Sequence, residues 1–264
     1  MLGAILGDIV GSPYEFSSEK TKNFPLFGVE SRLTDDSLMT IAVGCATATA
    51  NLSDEGQFKR TLTRFMREIG RLYPAAGYGE HFYRWLFDDA MGPYGSNGNG
   101  SAMRVSPVAW AATSLEEAER LATWSAEITH DHPDGIRGAV ATAAAIFMAR
   151  EGKSKQEIRQ YISDNFYALN FTLDEIRPTY RFDVTCGGSV PQAIVCFLEA
   201  SDYEEAVRNA VSLGGDGDTQ AAIAGAIAEA YYGIPDDLVE RALSFMDDTV
   251  TDYYFTYADE LYGF

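Results

Sequence analysis

An all-α fold is what the sequence predicts, on three observations. Apolar residues recur at three- and four-residue spacing along almost the whole chain. Helix-start chemistry, a Ser, Thr or Asp with an acid three residues on, stands ahead of several of these stretches. No segment alternates apolar and polar residues for long enough to read as a strand. The chain has 264 residues, with no Pro/Ser-rich linker, charge block or fixed-period repeat. It therefore reads as one domain over residues 1–264, built from about ten helices.

Gly3 to Tyr14 interleaves glycine with apolar residues around Asp8, the pattern of a short, closely packed helix, and runs into a Pro13-containing loop that carries Glu15. Asp8 reads as a buried, hydrogen-bonded structural acid and Glu15 as a loop acid. A loop with Pro25 leads to Thr34-Asp35-Asp36-Ser37, where Thr34 suits an N-cap and the acids suit the positive end of a helix dipole. Leu38, Ile41, Ala42, Cys45 and Thr49 continue that helix. Phe58, Leu62, Phe65, Met66, Ile69 and Leu72 form the apolar stripe of the next, which stops at Tyr73-Pro74.

Glycines then dominate from Gly92 to Gly100, ahead of a helix start at Ala102-Met103-Arg104. Such a run can aim several backbone N–H groups at one anion, a phosphate above all, and a flexible surface loop satisfies the same composition. No Lys follows Gly100, so the Walker pattern is not met. Nor is a serine elbow, because Asn99 and Met103 flank Ser101 where glycines are required. Ser114 with Glu117, and Ser154 with Glu157, are capping boxes. Between the helices they open, Thr129-His130-Asp131-His132-Pro133-Asp134 reads as a polar turn lining a pocket, followed by an alanine-rich helix from Ile136. Arg177 to Gly188 reads as loop, with a helix from Ser189 that has Pro191 in its first turn. Asp202 caps a further helix that delivers the chain to Gly214. Two more follow Asp236, with Tyr253, Tyr254, Tyr257 and Tyr262 expected to cover core.

The formal charge of −19 excludes a general nucleic-acid or anionic-membrane binder, which needs a cationic footprint. Met1 to Val10 is apolar, but Asp8 interrupts it and no basic segment precedes it, so neither a signal peptide nor a membrane span is expected. Cys45, Cys186 and Cys196 lie among apolar residues without pattern and read as buried free thiols, placing the protein in the cytoplasm.

The second acidic cluster, Gly214-Gly215-Asp216-Gly217-Asp218-Thr219, opens a helix of small residues that stops at Gly233. A cap needs one acid, whereas two carboxylates and a hydroxyl among glycines suggest a divalent cation, and all-oxygen ligation favours Mg, Mn or Ca over zinc. With the Asp35 cluster about 180 residues away, two such sets can surround a pair of ions.

In this order, Gly7-Asp8-Ile9-Val10-Gly11 with Glu15, Thr34-Asp35-Asp36, Gly98-Asn99-Gly100-Ser101-Ala102-Met103-Arg104, Thr129-His130 and Gly214 to Thr219 together resemble the ADP-ribosylglycohydrolase family over nearly the whole chain. The resemblance implies a compact orthogonal multi-helix globule with a two-metal cleft at helix N-termini, and hydrolysis of the bond between C1″ of ADP-ribose and an N- or O-linked acceptor. It implies that Thr34, Asp35, Asp36, Asp216, Asp218 and Thr219 hold two divalent cations, Mg or Mn, which engage the ribose 2″ and 3″ hydroxyls and a water. Glu15 would orient or deprotonate that water, with Asp35 or Asp36 as the other candidate bases. Gly95, Ser96, Asn97, Gly98, Asn99 and Gly100 would take the pyrophosphate, His130 would lie along the ADP-ribose, and Tyr94 or Asn97 would stand near the adenine. Asp88, Asp89, Tyr180 and Phe182 are acceptor-side candidates by position. The substrate would be an ADP-ribosylated protein or small molecule.

Two other classes remain to be weighed. A phosphohydrolase built on Asp216-Gly217-Asp218 needs a buried strand before the acids, where Ala206 to Val211 has helical spacing. A relative that binds ADP-ribose without turnover would have no need of all six metal-type residues and Glu15. An EF-hand is excluded, since Ala221 and Ile227 occupy its sixth and twelfth positions.

Overall fold

The computed structural model describes the backbone of residues 1–262 and the side chains of residues 1–256; the expectations for Tyr257 and Tyr262 fall outside those side chains. The described residues contain fifteen α-helices and one 3-10 turn, and the one strand-like pairing among them is an isolated antiparallel bridge between Gly98 and Thr185.

The centre is α13 (Gly217–Tyr232), buried on every side from Gly217 to Ala228. Its alanines and Gly225 leave its backbone open to close approach, and α1 (Leu2–Gly11), itself buried throughout, packs along it. A helix buried all round needs no polar face, which is why neither shows an amphipathic stripe. Against this pair pack α8 (Pro133–Arg150), α11 (Cys186–Glu199) and α12 (Tyr203–Val211), while α2 (Asp35–Thr49) joins them to a second group, α3 (Glu55–Leu72), α6 (Ser106–Ala111) and α15 (Asp248–Tyr262). One hydrophobic cluster runs through both groups, from Met1 to Tyr254. The outer elements are α7 (Leu115–Glu127) and α9 (Lys155–Asn165), both on α8, and α14 (Asp236–Leu243), on α1.

Local chemistry sets most boundaries. Thr34, Asp54, Ser154 and Asp202 each accept a backbone N–H of the first turn, and Ser154 with Glu157 completes a full capping box. Gly233 ends α13 at φ 75°, a conformation that favours glycine. The Ser114 box is half formed: Ser114 accepts from Glu117 N, but the Glu117 carboxylate turns back to Thr113 instead.

Three short helices go beyond the sequence expectation: α4 (Glu80–Phe87), α6, and α10 (Leu173–Ile176), which carries its own capping box of Thr172 and Glu175. A four-residue helix, α5 (Gly100–Met103), starts two residues before the expected Ala102. A correction concerns α11. It starts at Cys186, because the Thr185 hydroxyl accepts from Gly188 N, and Pro191 lies inside the helix instead of in its first turn.

Candidate active site

Asp8 establishes the site from below. Its carboxylate is fully buried in α1 and accepts from Thr34 N (2.9 Å), Thr34 Oγ1 (2.7 Å), Ser37 N (3.1 Å) and the Ser37 hydroxyl. Four bonds on one acid clamp the first turn of α2 to α1. Thr34 also caps Asp36 N, and Ala76 O receives Asp35 N at 3.0 Å, so Asp35 and Asp36 are held at the N-terminus of α2 by its own cap and by two other segments, α1 and the turn at Ala76.

The second cluster arrives on α13. Gly214 takes φ 63°, and a Cβ there would meet Glu19 O at 2.8 Å, so the turn into the helix both needs and hides a glycine. Lys20 grips that turn through Tyr180 O (2.7 Å) and Leu213 O. Asp216 stands at the N-cap but makes no capping bond; its carboxylate receives the Asn99 side-chain amide at 2.7 Å, and Asn99 is fixed in turn on Ser189 (3.0 Å).

The two clusters meet. Glu15, Asp216 and Asp218 offer carboxylate oxygens within 4.8 Å of one another, Asp35, Asp36 and Thr219 line the same cleft, and the charges of Asp36 and Asp216 both bear on Asp218. Glu15 follows the 3-10 turn Ser12–Tyr14, and partial burial followed by the Asp216 charge pushes its carboxyl up to about 7. Burial, and then the charge of Asp8, push Asp35 up to about 8. Asp36 and Asp218 rise well above the usual carboxylate range for the same two reasons, burial first and neighbouring acids second. Six carboxylates in one place, with Asp36 Oδ1 buried and unpaired among the described residues, form a set that hard divalent cations would neutralise. The donors present therefore fit Mg or Mn.

Five of these acids, all but Asp8, line a cleft of about 570 Å³, within the usual size range of small-molecule sites. Its lining includes Glu15, Asp35, Asp36, Asp216, Asp218, Thr219, every residue from Tyr94 to Gly100, and His130. Thr34 is apart from that lining, its hydroxyl spent on Asp8 and on the cap.

The glycine loop is tied down on both sides. Asn99 N donates to Val184 O (2.8 Å) and Cys186 N to Asn97 O (2.9 Å), while Gly95 N donates to the Asp131 carboxylate (2.6 Å). Segment 182–185, which reads as loop from sequence, is thus the brace of the glycine run. Several loop N–H groups have internal partners, and among the described residues none is paired with those of Asn97 and Gly100. Tyr94 stacks on His81 (6.0 Å between centroids) and tilts against His130 (6.2 Å), making an aromatic wall.

Sequence reasoning passes over several lining residues. Arg104 is 1% exposed beneath the cleft, and Phe16, 82% exposed beside Glu15, contacts Phe182 with centroids 5.9 Å apart. His81 and Gly77 come from the unrecognised segment around α4. Arg104 closes the Gly98–Arg104 motif, where it had no role assigned, and Phe16 directly follows Glu15; only tertiary contacts reveal His81 and Gly77. Of the acceptor-side candidates, Phe182 lines the mouth. Tyr180 donates to Gly188 O and accepts from Gln220, and Asp89 pairs with Arg67 and Arg71 outside the cleft lining, with Asp88 next to it in sequence.

A sequence profile of the ADP-ribosylglycohydrolase family matches residues 1–263. Human ADP-ribosylhydrolase ARH3 is 28% identical, across 89% of this chain and 84% of its own length. The ADP-ribosyl-[dinitrogen reductase] glycohydrolase of Rhodospirillum rubrum is 25% identical, across 93% and 88%. Among solved structures, an ADP-ribosylglycohydrolase-related protein complex aligns with a TM-score of 0.66 at 23% identity, covering 99% of this chain and 96% of that one, a likeness of fold.

Proposed function

The chain belongs to the ADP-ribosylglycohydrolase family, and from that premise we propose that it hydrolyses the C1″ glycosidic bond between ADP-ribose and an N- or O-linked acceptor at a centre of two divalent cations, Mg or Mn. Asp35, Asp36, Asp216, Asp218 and Thr219 are the residues that would hold them, while Thr34, expected among the ligands from the family resemblance, is spent on Asp8 and on the cap and fixes the first turn of α2 instead. The observation that carries this is the convergence of two acidic clusters from the starts of α2 and α13 around Asp36 Oδ1, buried and unpaired among the described residues. Such crowding costs stability in the absence of cations, and its retention in a cleft calls for a ligand.

When bound, the ions supply Lewis acidity toward the ribose diol and a water. The remaining steps are the work of side chains and backbone. Glu15, at the rim of the acid cluster, takes the proton of the attacking water as the bond to C1″ breaks and can return it to the departing acceptor. Its raised proton affinity, about 7, suits exchange near neutrality. The N–H groups of Asn97 and Gly100, with His130, bind the pyrophosphate, and the wall of Tyr94 and His81 takes the adenine. Phe16 and Phe182 flank the path by which the acceptor leaves.

Several supporting features concern the whole chain. The hydrophobic cluster from Met1 to Tyr254 supports one domain over residues 1–264. No helix among the described residues is long and apolar enough to cross a membrane. The three cysteines are free and buried, which supports a reducing compartment, the cytoplasm. An ADP-ribosylated protein or small molecule would be the substrate.

A panel of ADP-ribosylated arginine, serine, nucleobase and small-molecule compounds, incubated with the protein and Mg and read by mass spectrometry, tests the activity. Free ADP-ribose should accumulate with at least one acceptor and stop on addition of EDTA. Release of AMP or phosphate in its place would indicate phosphohydrolase chemistry, and binding of ADP-ribose without release from any acceptor would indicate a relative without turnover.

A further inference from the structure

Arg104 follows α5 as a guanidinium 1% exposed to solvent. Among the described residues it has no carboxylate partner, although the chain carries a formal charge of −19. Its Nη2 donates to Ser125 O (3.2 Å) and to Thr129 Oγ1 (2.8 Å). The Thr129 hydroxyl, fully buried, lies 2.8 Å from His130 Nδ1.

These three contacts have a direction. A guanidinium can only donate, so Thr129 Oγ1 accepts from Arg104 and has one proton of its own to place. If His130 Nδ1 carried a proton, the oxygen would receive two donors, and the hydroxyl hydrogen would be left buried without an acceptor. With Nδ1 bare, the Thr129 hydroxyl hydrogen has an acceptor and its oxygen keeps the Arg104 donor. A neutral imidazole then has its proton on Nε2.

Nε2 stands over the glycine loop. A Cβ built on Gly100 would lie 3.2 Å from it and one on Gly98 3.5 Å, and none of the described residues accepts a hydrogen bond from it. The same turn is tied to the loop, since Thr129 O receives Tyr94 N and Ser96 N, each at 3.5 Å.

We infer that Arg104, Thr129 and His130 form a one-way hydrogen-bond relay that fixes His130 as a neutral Nε2–H donor to an anionic phosphate oxygen of the ligand. Arg104 and Thr129 are positioning residues, acting through His130. Burial, and then the Arg104 charge, hold the imidazole well below its usual protonation range, so the donor is maintained by the tautomer and not by a positive charge. The relay itself follows from the hydrogen bonds; its ligand class rests on the ADP-ribose assignment of the cleft.

Long-range proton–nitrogen correlation NMR on histidine-labelled, metal-free protein reads the ring directly, with His130→Gln identifying the signals among three histidines. His130 should show a protonated Nε2 and an Nδ1 shifted as a hydrogen-bonded acceptor. Thr129→Val should move Nδ1 to the position of a free imine nitrogen and weaken ADP-ribose binding about tenfold, and Thr129→Ser should restore both. A wild-type His130 protonated on Nδ1, or a folded Thr129→Val with parent Nδ1 shift and parent affinity, overturns the relay. Should Thr129→Val fail to fold, Thr129→Ser still decides, because losing the acceptor-type Nδ1 shift there also overturns it. A wild-type protein with the expected nitrogen signals that binds no ADP-ribose would leave the relay standing and refute the ligand assignment alone.

Discussion

Gly11 holds α1 in backbone contact with Asp218: a Cβ built on Gly11 would lie 2.5 Å from the Asp218 Cα and 2.5 Å from Gly217 O. Gly7 and Gly3, each four residues earlier on the same face, would carry Cβ atoms 2.1 Å from Ala221 O and 2.5 Å from Gly225 O. The seat of the acidic cluster on α13 is therefore set by three missing side chains on α1.

Gly11→Ala should push the first turn of α13 outward. We expect a stability loss of about 1–3 kcal/mol by overpacking, together with at least about tenfold weaker Mg or Mn binding. Gly7→Ala, which would meet α13 at Ala221, further along the helix from Asp216, should show the stability loss with a smaller effect on the ions. Denaturant melts and calorimetric titration separate the two quantities. Parent-like ion affinity in a destabilised Gly11→Ala would show that the close contact serves packing alone.

The crowded carboxylates predict how stability varies with pH. Glu15 is raised to about 7 and Asp35 to about 8. Folding thus favours their protonated forms, so their contribution is fully present below the ordinary carboxylate range and is lost as pH rises through 7 to 8. In EDTA the melting temperature should fall over that interval, and Mg should remove the fall while releasing protons on binding. Asp218→Asn takes one charge out of the cluster, so it should melt higher than the parent in EDTA at pH 8 yet bind Mg more weakly. A melting temperature that rises toward pH 8 in EDTA would contradict the electrostatic account.

What was legible in the sequence is what depends on near neighbours. Thr34, Ser154 and Asp202 cap where their spacing to a following acid or apolar run indicates, and Gly233 stops α13. The helix α4 was hidden because its eight residues span barely two turns, too few for a period to emerge, after a segment broken by Pro74, Gly77 and Gly79. At α11, weak patterning let Arg177 to Gly188 read as loop, yet Thr185 caps across Gly187 and Gly188 and starts the helix early. The partners that orient the site, Asn99 for Asp216 and Arg104 for Thr129, are 117 and 25 residues apart in sequence. No local pattern encodes such pairs, and a resemblance of motifs brings the residues together without saying which atoms meet.

The glycine loop predicts a separation of ligand binding from ion binding. A Cβ on Gly98 would lie 3.2 Å from Ser96 Oγ and 3.5 Å from both His130 Nε2 and Val184 O, so the branches of a valine must enter the cleft or displace its brace. Gly98→Val should weaken ADP-ribose binding by about tenfold or more, with Mg affinity close to that of the parent, because none of the acids lies on this loop. Unchanged ADP-ribose affinity would return this loop to a surface connection without a binding role.

Chemistry separates from binding at Glu15. Among the acids that line the cleft it alone comes from neither the start of α2 nor the start of α13, half-buried after the 3-10 turn, with oxygens within 4.8 Å of those of Asp216 and Asp218. As a proton acceptor it contributes in the transition state, an effect typically of about 100-fold to 10,000-fold, whereas its share in holding the product is that of one contact among many. Glu15→Gln keeps the size and the hydrogen-bonding reach but cannot take a proton. We expect turnover to fall by at least about two orders of magnitude, with ADP-ribose affinity little changed and the circular dichroism spectrum the same. Removing a raised carboxylate should also leave the metal-free protein slightly more stable at pH 8, a gain that a purely structural role for Glu15 would not produce. Hydrolysis by Glu15→Gln at close to the parental rate would transfer the role of base to Asp35 or Asp36.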